Sequence, residues 1–118
     1  LRDAYDLLVV ADRQETTFNV KEIISGVFDK PLLENENAKR FVEAICKKNG
    51  LNLDLSFANL PIESTLIPNL DGIMQGFMQD ETGFTLCYLP YNINELKVMV
   101  KEYLFPYLEK NSQKLLTN

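Results

Sequence analysis

Ile73-Met74-Gln75-Gly76-Phe77-Met78-Gln79, then Asp80-Glu81-Thr82-Gly83, then Phe84-Thr85-Leu86-Cys87-Tyr88-Leu89 is the stretch on which the fold turns. The two runs flank a four-residue segment ending in Gly, a common connection of a β-hairpin. The rival reading is a helix starting at Pro68, because Leu70, Ile73, Met74 and Phe77 also recur at helical spacing. Gly72 and Gly76 weaken that helix by about 1 kcal/mol each relative to Ala, so the hairpin is the expectation.

Upstream, the period of the apolar residues changes. Ala38, Phe41, Val42, Ile45 and Cys46 lie on one helical face between Asn35 and Gly50, with Lys47 and Lys48 in the last turn, where cations suit the helix dipole. Gly50 is a natural left-handed stop. From Leu51 to Phe57, apolar and polar residues alternate, the pattern of a half-buried strand.

Two helix starts share one grammar. Asn19 precedes Val20 with Glu22 three positions on, and Asn92 precedes Ile93 with Glu95 three positions on; each pair can form a capping box. Phe18 and Tyr91 are placed to staple onto Ile23 and Leu96. The first helix should run from about Val20 to Phe28, before Pro31. The last carries Leu96, Met99, Val100, Tyr103, Leu104, Tyr107 and Leu108 as an apolar stripe, with Pro106 predicting a kink or break near residues 102–106 and a frayed tail over 110–118. The run from Tyr5 to Ala11 suits either a buried strand or a helix; the lack of breakers over residues 1–12 favours helix. Together these elements predict one α+β domain spanning 1–118, in which N-terminal helices precede a small antiparallel sheet and the C-terminal helix packs across it.

Composition limits the chemistry. The 118 residues contain no His, which removes the ordinary Ser-His-Asp and Cys-His couples and any His-bearing zinc site. Cys46 and Cys87 stand 41 positions apart, with neither metal-ligand nor disulfide spacing, and read as buried reduced thiols of a cytoplasmic protein. Aligning Phe18 and Glu22 with a calcium-binding loop puts Ala11 at the first ligand position and Thr16 where the central Gly belongs, so the segment reads as a capped helix entry without calcium. The glycines follow no nucleotide-cradling pattern. No catalytic residue, cofactor or metal is therefore expected; carboxylates such as Asp54, Asp71, Asp80 and Glu81 would regain interest only in a pocket that raised their pKa values.

Charge is distributed unevenly. The formal net charge is -5, and residues 51–90 carry five acidic and no basic side chains. Such a segment cannot supply phosphate contacts, which argues against nucleic acid, and no apolar run approaches the roughly 18 residues of a membrane span. What remains is surface for association. Tyr88, Tyr91, Phe105 and Tyr107 are the candidate partner-binding residues, since aromatics with wet hydroxyls suit interfaces. These features lead to a non-catalytic protein-interaction domain or small adaptor with a protein partner, and a homodimer as a further use of the same surfaces. The alternatives are an acidic inhibitor, immunity protein or secretion-type chaperone and, ranked lower, a carboxylate- or Cys-dependent enzyme.

Overall fold

The computed structural model describes residues 6–13 and 19–116, with side chains up to residue 110. Six strands and four helices follow in the order β1 (Asp6–Asp12), α1 (Val20–Val27), β2 (Leu32–Glu34), α2 (Glu36–Asn49), β3 (Asn59–Pro61), β4 (Thr65–Ile67), β5 (Gly76–Glu81), β6 (Phe84–Pro90), α3 (Ile93–Met99) and α4 (Phe105–Leu116). The α+β class, the hairpin and the packed C-terminal helix are all present. The main sheet has the order β1-β6-β5-β4 and is mixed: β4, β5 and β6 are antiparallel, whereas β1 joins β6 in parallel. Strands β2 and β3 form a separate antiparallel pair.

The hairpin is tighter than its sequence suggests. Glu81 pairs with Phe84, so the loop is only Thr82 and Gly83, with Gly83 at φ 86°, where a residue lacking Cβ avoids the left-handed penalty. Alternation along β5 and β6 then sorts the core. Phe77, Leu86 and Tyr88 face α1 and α2, together with Ile24, Val42 and Cys46; Met78, Cys87 and Leu89 face the C-terminal helices, together with Met99 and Leu104. Covering both faces is what permits β6 to be buried almost throughout.

The Asn19 cap forms as expected, and Asn35 caps α2 in the same way without having been singled out. Asn19 Oδ1 accepts the Glu22 N–H at 3.1 Å, Asn35 Oδ1 accepts the Ala38 N–H at 2.9 Å, and Gly50 stops α2 at φ 64°. The staple assigned to Phe18 lies outside the described residues. Glu95 departs from its expected part in a capping box: its Oε1 accepts the Asn69 side-chain N–H at 2.8 Å. Asn69 is 1% exposed, and a buried amide demands partners more strongly than a solvated helix start does. The loop it organises, closed by Gln75 Oε1 accepting the Asn69 N–H at 2.8 Å, replaces the rival helix from Pro68.

Of four further expectations, three are corrected and the one at Pro106 is met. The run up to Ala11 is a strand and not a helix, because Leu7 to Val10 gain a backbone ladder against Thr85 to Tyr88. Residues 51–57 make no strand; Asp54 accepts the Ser56 N–H at 3.0 Å and starts a short 3-10 turn over Leu55–Ala58, a local bond that competes with sheet pairing. The α-helical pattern is interrupted just before Pro106, between Met99 and Phe105, in the stretch where a kink or break was expected. One π turn, Val100–Leu104, precedes the proline, with the Phe105 N–H reaching back to Val100 O, and this wider turn takes up the misfit of the Pro ring. The tail expected to fray is helical as far as Leu116. Among the described residues, no helix is long and apolar enough to cross a membrane.

Candidate functional site

Strands β1 and β6 lie side by side and point the same way, yet the helices that follow them pack on opposite faces of the sheet: α1 on the Phe77 and Tyr88 face, α3 with the Met78 and Leu89 cluster. This divergence is a topological switch, and the edge outside the carboxyl ends of two such strands is the place where open α/β sheets hold their ligands.

The residues around it are chemically distinct from the rest of the surface. Asp12 closes β1 and is 8% exposed; its carboxylate accepts the Tyr88 hydroxyl at 2.6 Å and its carbonyl accepts the Tyr91 N–H at 2.7 Å. Tyr88 is held in turn by stacking on Phe77, with ring centroids 4.9 Å apart. Burial pushes the Tyr88 phenol pKa up, and the hydrogen bond to Asp12 and the charge of Asp12 push it further, so it remains a donor. Arg13, the next residue, lies over the Tyr91 ring at 4.6 Å, a cation–π contact.

Lys21 supplies the second cation from the first turn of α1. Its ammonium donates to Ser56 O at 3.1 Å. Burial lowers its pKa from 10.5 to about 8, against the raising effects of Asp12 and Asp54. Asp54 is held below the usual carboxylate range, first by the Ser56 hydroxyl and then by the Ser56 N–H. The N-termini of α1 and α3 are occupied by their own caps, Asn19 and Asn92, and the described cations near these strand ends are Arg13 and Lys21, the latter facing the carboxylates of Asp12 and Asp54.

The Lys21 shift has a measurable sign. An unfolded Lys keeps its proton to about pH 10.5 and the folded one loses it near 8, so between these values the unfolded state binds more protons and stability rises with pH. Cys87, pushed by burial from 9.0 to about 12, acts the other way above pH 9, as does Tyr88 above pH 10. Comparison with Lys21→Met cancels these two. The wild-type stability minus that of the variant, from urea unfolding, should climb between pH 8 and 10.5; a flat difference would contradict the lowered Lys21 pKa.

The four aromatic candidates are not gathered in one place. Tyr88 is buried, with its hydroxyl used internally, and Tyr91 is exposed just beyond the end of β6. Phe105 and Tyr107 belong to α4; Phe105 is exposed, and the Tyr107 hydroxyl donates to Asp80 at 2.9 Å. Asp54 and Glu81 have lowered, not raised, pKa values, Glu81 chiefly through a 2.7 Å bond from Lys30. Among the described residues, no group of three or more His, Cys, Asp or Glu side chains could hold a metal ion. Sequence reasoning missed Asp12, Arg13 and Lys21. The available signal was a charged pair directly after an apolar run and before the Asn19 cap, a strand-loop-helix junction once residues 6–12 are read as a strand.

No protein-family model matches the chain. It is similar to the competence-damage inducible protein of Caldanaerobacter subterraneus subsp. tengcongensis, with 34% identity over 94 residues that cover 76% of this chain and 23% of that protein. A protein of the same name from Clostridium beijerinckii is 29% identical over 105 residues, covering 83% of this chain and 25% of that protein, and a CinA-like protein of Dictyoglomus turgidum is 32% identical over 91 residues, covering 75% and 22%. The chain thus spans about a quarter of the length of the curated relatives it matches. Among solved structures, CinA from Thermoplasma acidophilum, of unknown function, matches with a TM-score of 0.67 and 25% identity, over 82% of this chain and 59% of that one. These likenesses overturn the reading as a protein-interaction domain or small adaptor. They equally displace the inhibitor, immunity-protein, chaperone and carboxylate- or Cys-dependent enzyme alternatives, because the similarity in sequence and fold is to CinA-like proteins.

Proposed function

We propose that the chain works as a CinA-like ligand-holding unit in the cytoplasm, binding a small anionic molecule at the carboxyl ends of β1 and β6 without transforming it. The observation that carries this reading is the divergence of α1 and α3 to opposite faces after two adjacent parallel strands, with Arg13 over the Tyr91 ring and Lys21 within the field of Asp12 beside the strand ends. Arg13 and Lys21 supply the positive charge. The buried Asp12–Tyr88 bond fixes the floor, and the exposed Tyr91 ring offers an apolar face to a planar group. Binding without turnover is supported by the absence of His and by the Cys87 thiol, which burial pushes up to about 12 and so keeps protonated and unreactive near neutrality. Burial of both free thiols suits a reducing compartment. The competence-damage names belong to proteins more than three times as long, and in such a setting this chain would serve as one part.

Calorimetric titration with AMP, and with inorganic phosphate as the bare anion, tests the reading. Saturable binding at pH 7 is expected, weakening as pH passes about 8 and Lys21 loses its charge. Lys21→Met should weaken it about tenfold or more, the worth of one charge-assisted contact. Affinity unchanged in Lys21→Met, or heat absent with both probes, would refute the assignment.

A further inference from the structure

Asn49 closes α2, and it is the one Asn in the chain that a Gly follows. An Asn-Gly pair is open to self-deamidation, because Gly has no side chain to hinder attack of its backbone nitrogen on the preceding side-chain amide. Asn49 and Gly50 are both exposed, so water reaches them. The fold nevertheless ties up both reacting groups. Asn49 Nδ2 donates to Ile45 O at 3.1 Å, which turns the side-chain amide back along the helix. The Gly50 N–H donates to Cys46 O, a carbonyl that also accepts the Leu51 N–H at 2.9 Å. The closed turn therefore aims the Gly50 nitrogen at the preceding turn and away from the Asn49 side chain.

We infer that Asn49 is a self-modification site, at which deamidation is gated by opening of the last turn of α2. In the open turn Gly50 gives up its amide proton to solvent and its nitrogen attacks Asn49 Cγ. The new C–N bond closes a succinimide, the Cγ–Nδ2 bond breaks, and the amide nitrogen takes a proton from water and leaves as ammonia. One water then opens the ring at either carbonyl and leaves Asp or isoaspartate at position 49. The opening is local. Lys47, Lys48 and Asn49 are exposed, whereas Ile45 and Cys46, which hold this end of α2 down, are 6% and 4% exposed and can stay in place. The product carboxylate makes the formal net charge one unit more negative than -5, and it stands at the C-terminal end of a helix, where the macrodipole opposes it. Isoaspartate also adds a methylene to the main chain just ahead of Gly50, which moves the Gly50 N–H off Cys46 O. The modification thus removes the cap that had restrained it.

The test is peptide mass mapping of the complete 118-residue chain aged in heavy-oxygen water at mildly alkaline pH, once folded and once unfolded in guanidinium. Heavy oxygen marks each deamidated position. Asn49 should react before every other Asn in both samples, as a mixture of Asp and isoaspartate. In the folded chain it should react about ten- to a hundredfold more slowly, the effect of two hydrogen bonds that must open together. Because ring closure needs a free Gly50 N–H, the slowing must be at least as large as the protection of that amide against hydrogen exchange. Asn49→Gln, whose longer side chain would have to close a larger ring, should stay unmodified at this position over the same time. Another Asn reacting first in the folded chain would overturn the inference, as would equal rates in the two samples or a slowing smaller than the Gly50 protection. So would equal conversion of Asn49→Gln, or an unchanged Asn49 in the folded chain after about a hundred half-lives of the unfolded reaction.

Discussion

Phe77→Ala is expected to cost about 3–5 kcal/mol of folding stability, the range for removing a fully buried aromatic ring. Phe77 is 0% exposed, in the middle of β5, on the face covered by α1 and α2. A domain of this size holds only about 5–15 kcal/mol in total, so the loss would take a large share of the margin. The damage should reach the strand ends as well. Phe77 stacks on Tyr88 with an interplanar angle of 15°, and Tyr88 carries the hydroxyl bound to Asp12, so the variant should bind a ligand there more weakly even where it is folded. Urea unfolding supplies the first number. A cost below about 1 kcal/mol would mean that the site collapses without a cavity and that the stack contributes little.

Gly76→Ala should be nearly as severe, at about 3 kcal/mol, although it adds a single methyl group. A Cβ at Gly76 would stand 2.6 Å from Tyr88 O and 2.9 Å from the Met99 methyl, and the first contact is backbone within the β5–β6 ladder and cannot swing aside. Gly26 is the control. It lies in α1 with nothing within 4 Å of an added Cβ, so Gly26→Ala should stabilise by about 1 kcal/mol through helix propensity. Thermal unfolding of both variants checks the pair, and equal shifts would contradict the close approach at Gly76.

How much was legible follows the sequence distance of each interaction. The hairpin and the Asn19 and Asn92 caps rest on bonds between near neighbours, and these appear where the residues predicted them. β1 was not legible because its ladder joins Asp6 to Asp12 with Phe84 to Pro90, and no local pattern announces a parallel partner so far along the chain. The alternation from Leu51 to Phe57 misled for the converse reason. A period of two makes a strand only when an edge is available, and Asp54 satisfied the backbone locally instead. The candidate site inherits the first difficulty. Asp12 and Tyr88 are 76 positions apart, and their pairing depends on a strand that the residues did not single out. Tyr91 was found from its aromatic character, though the Arg13 guanidinium over its ring gives it a different setting from the protein interface it suggested.

Amide chemical-shift mapping of the 15N-labelled chain during titration with AMP at pH 7 tests the central claim most directly. The account predicts saturable shifts concentrated at Arg13, Lys21, Tyr91 and Asn92, with Phe105 and its neighbours on α4 unmoved. Saturable shifts centred anywhere else on the fold, or none up to about 10 mM ligand, far weaker than any specific site, would contradict it.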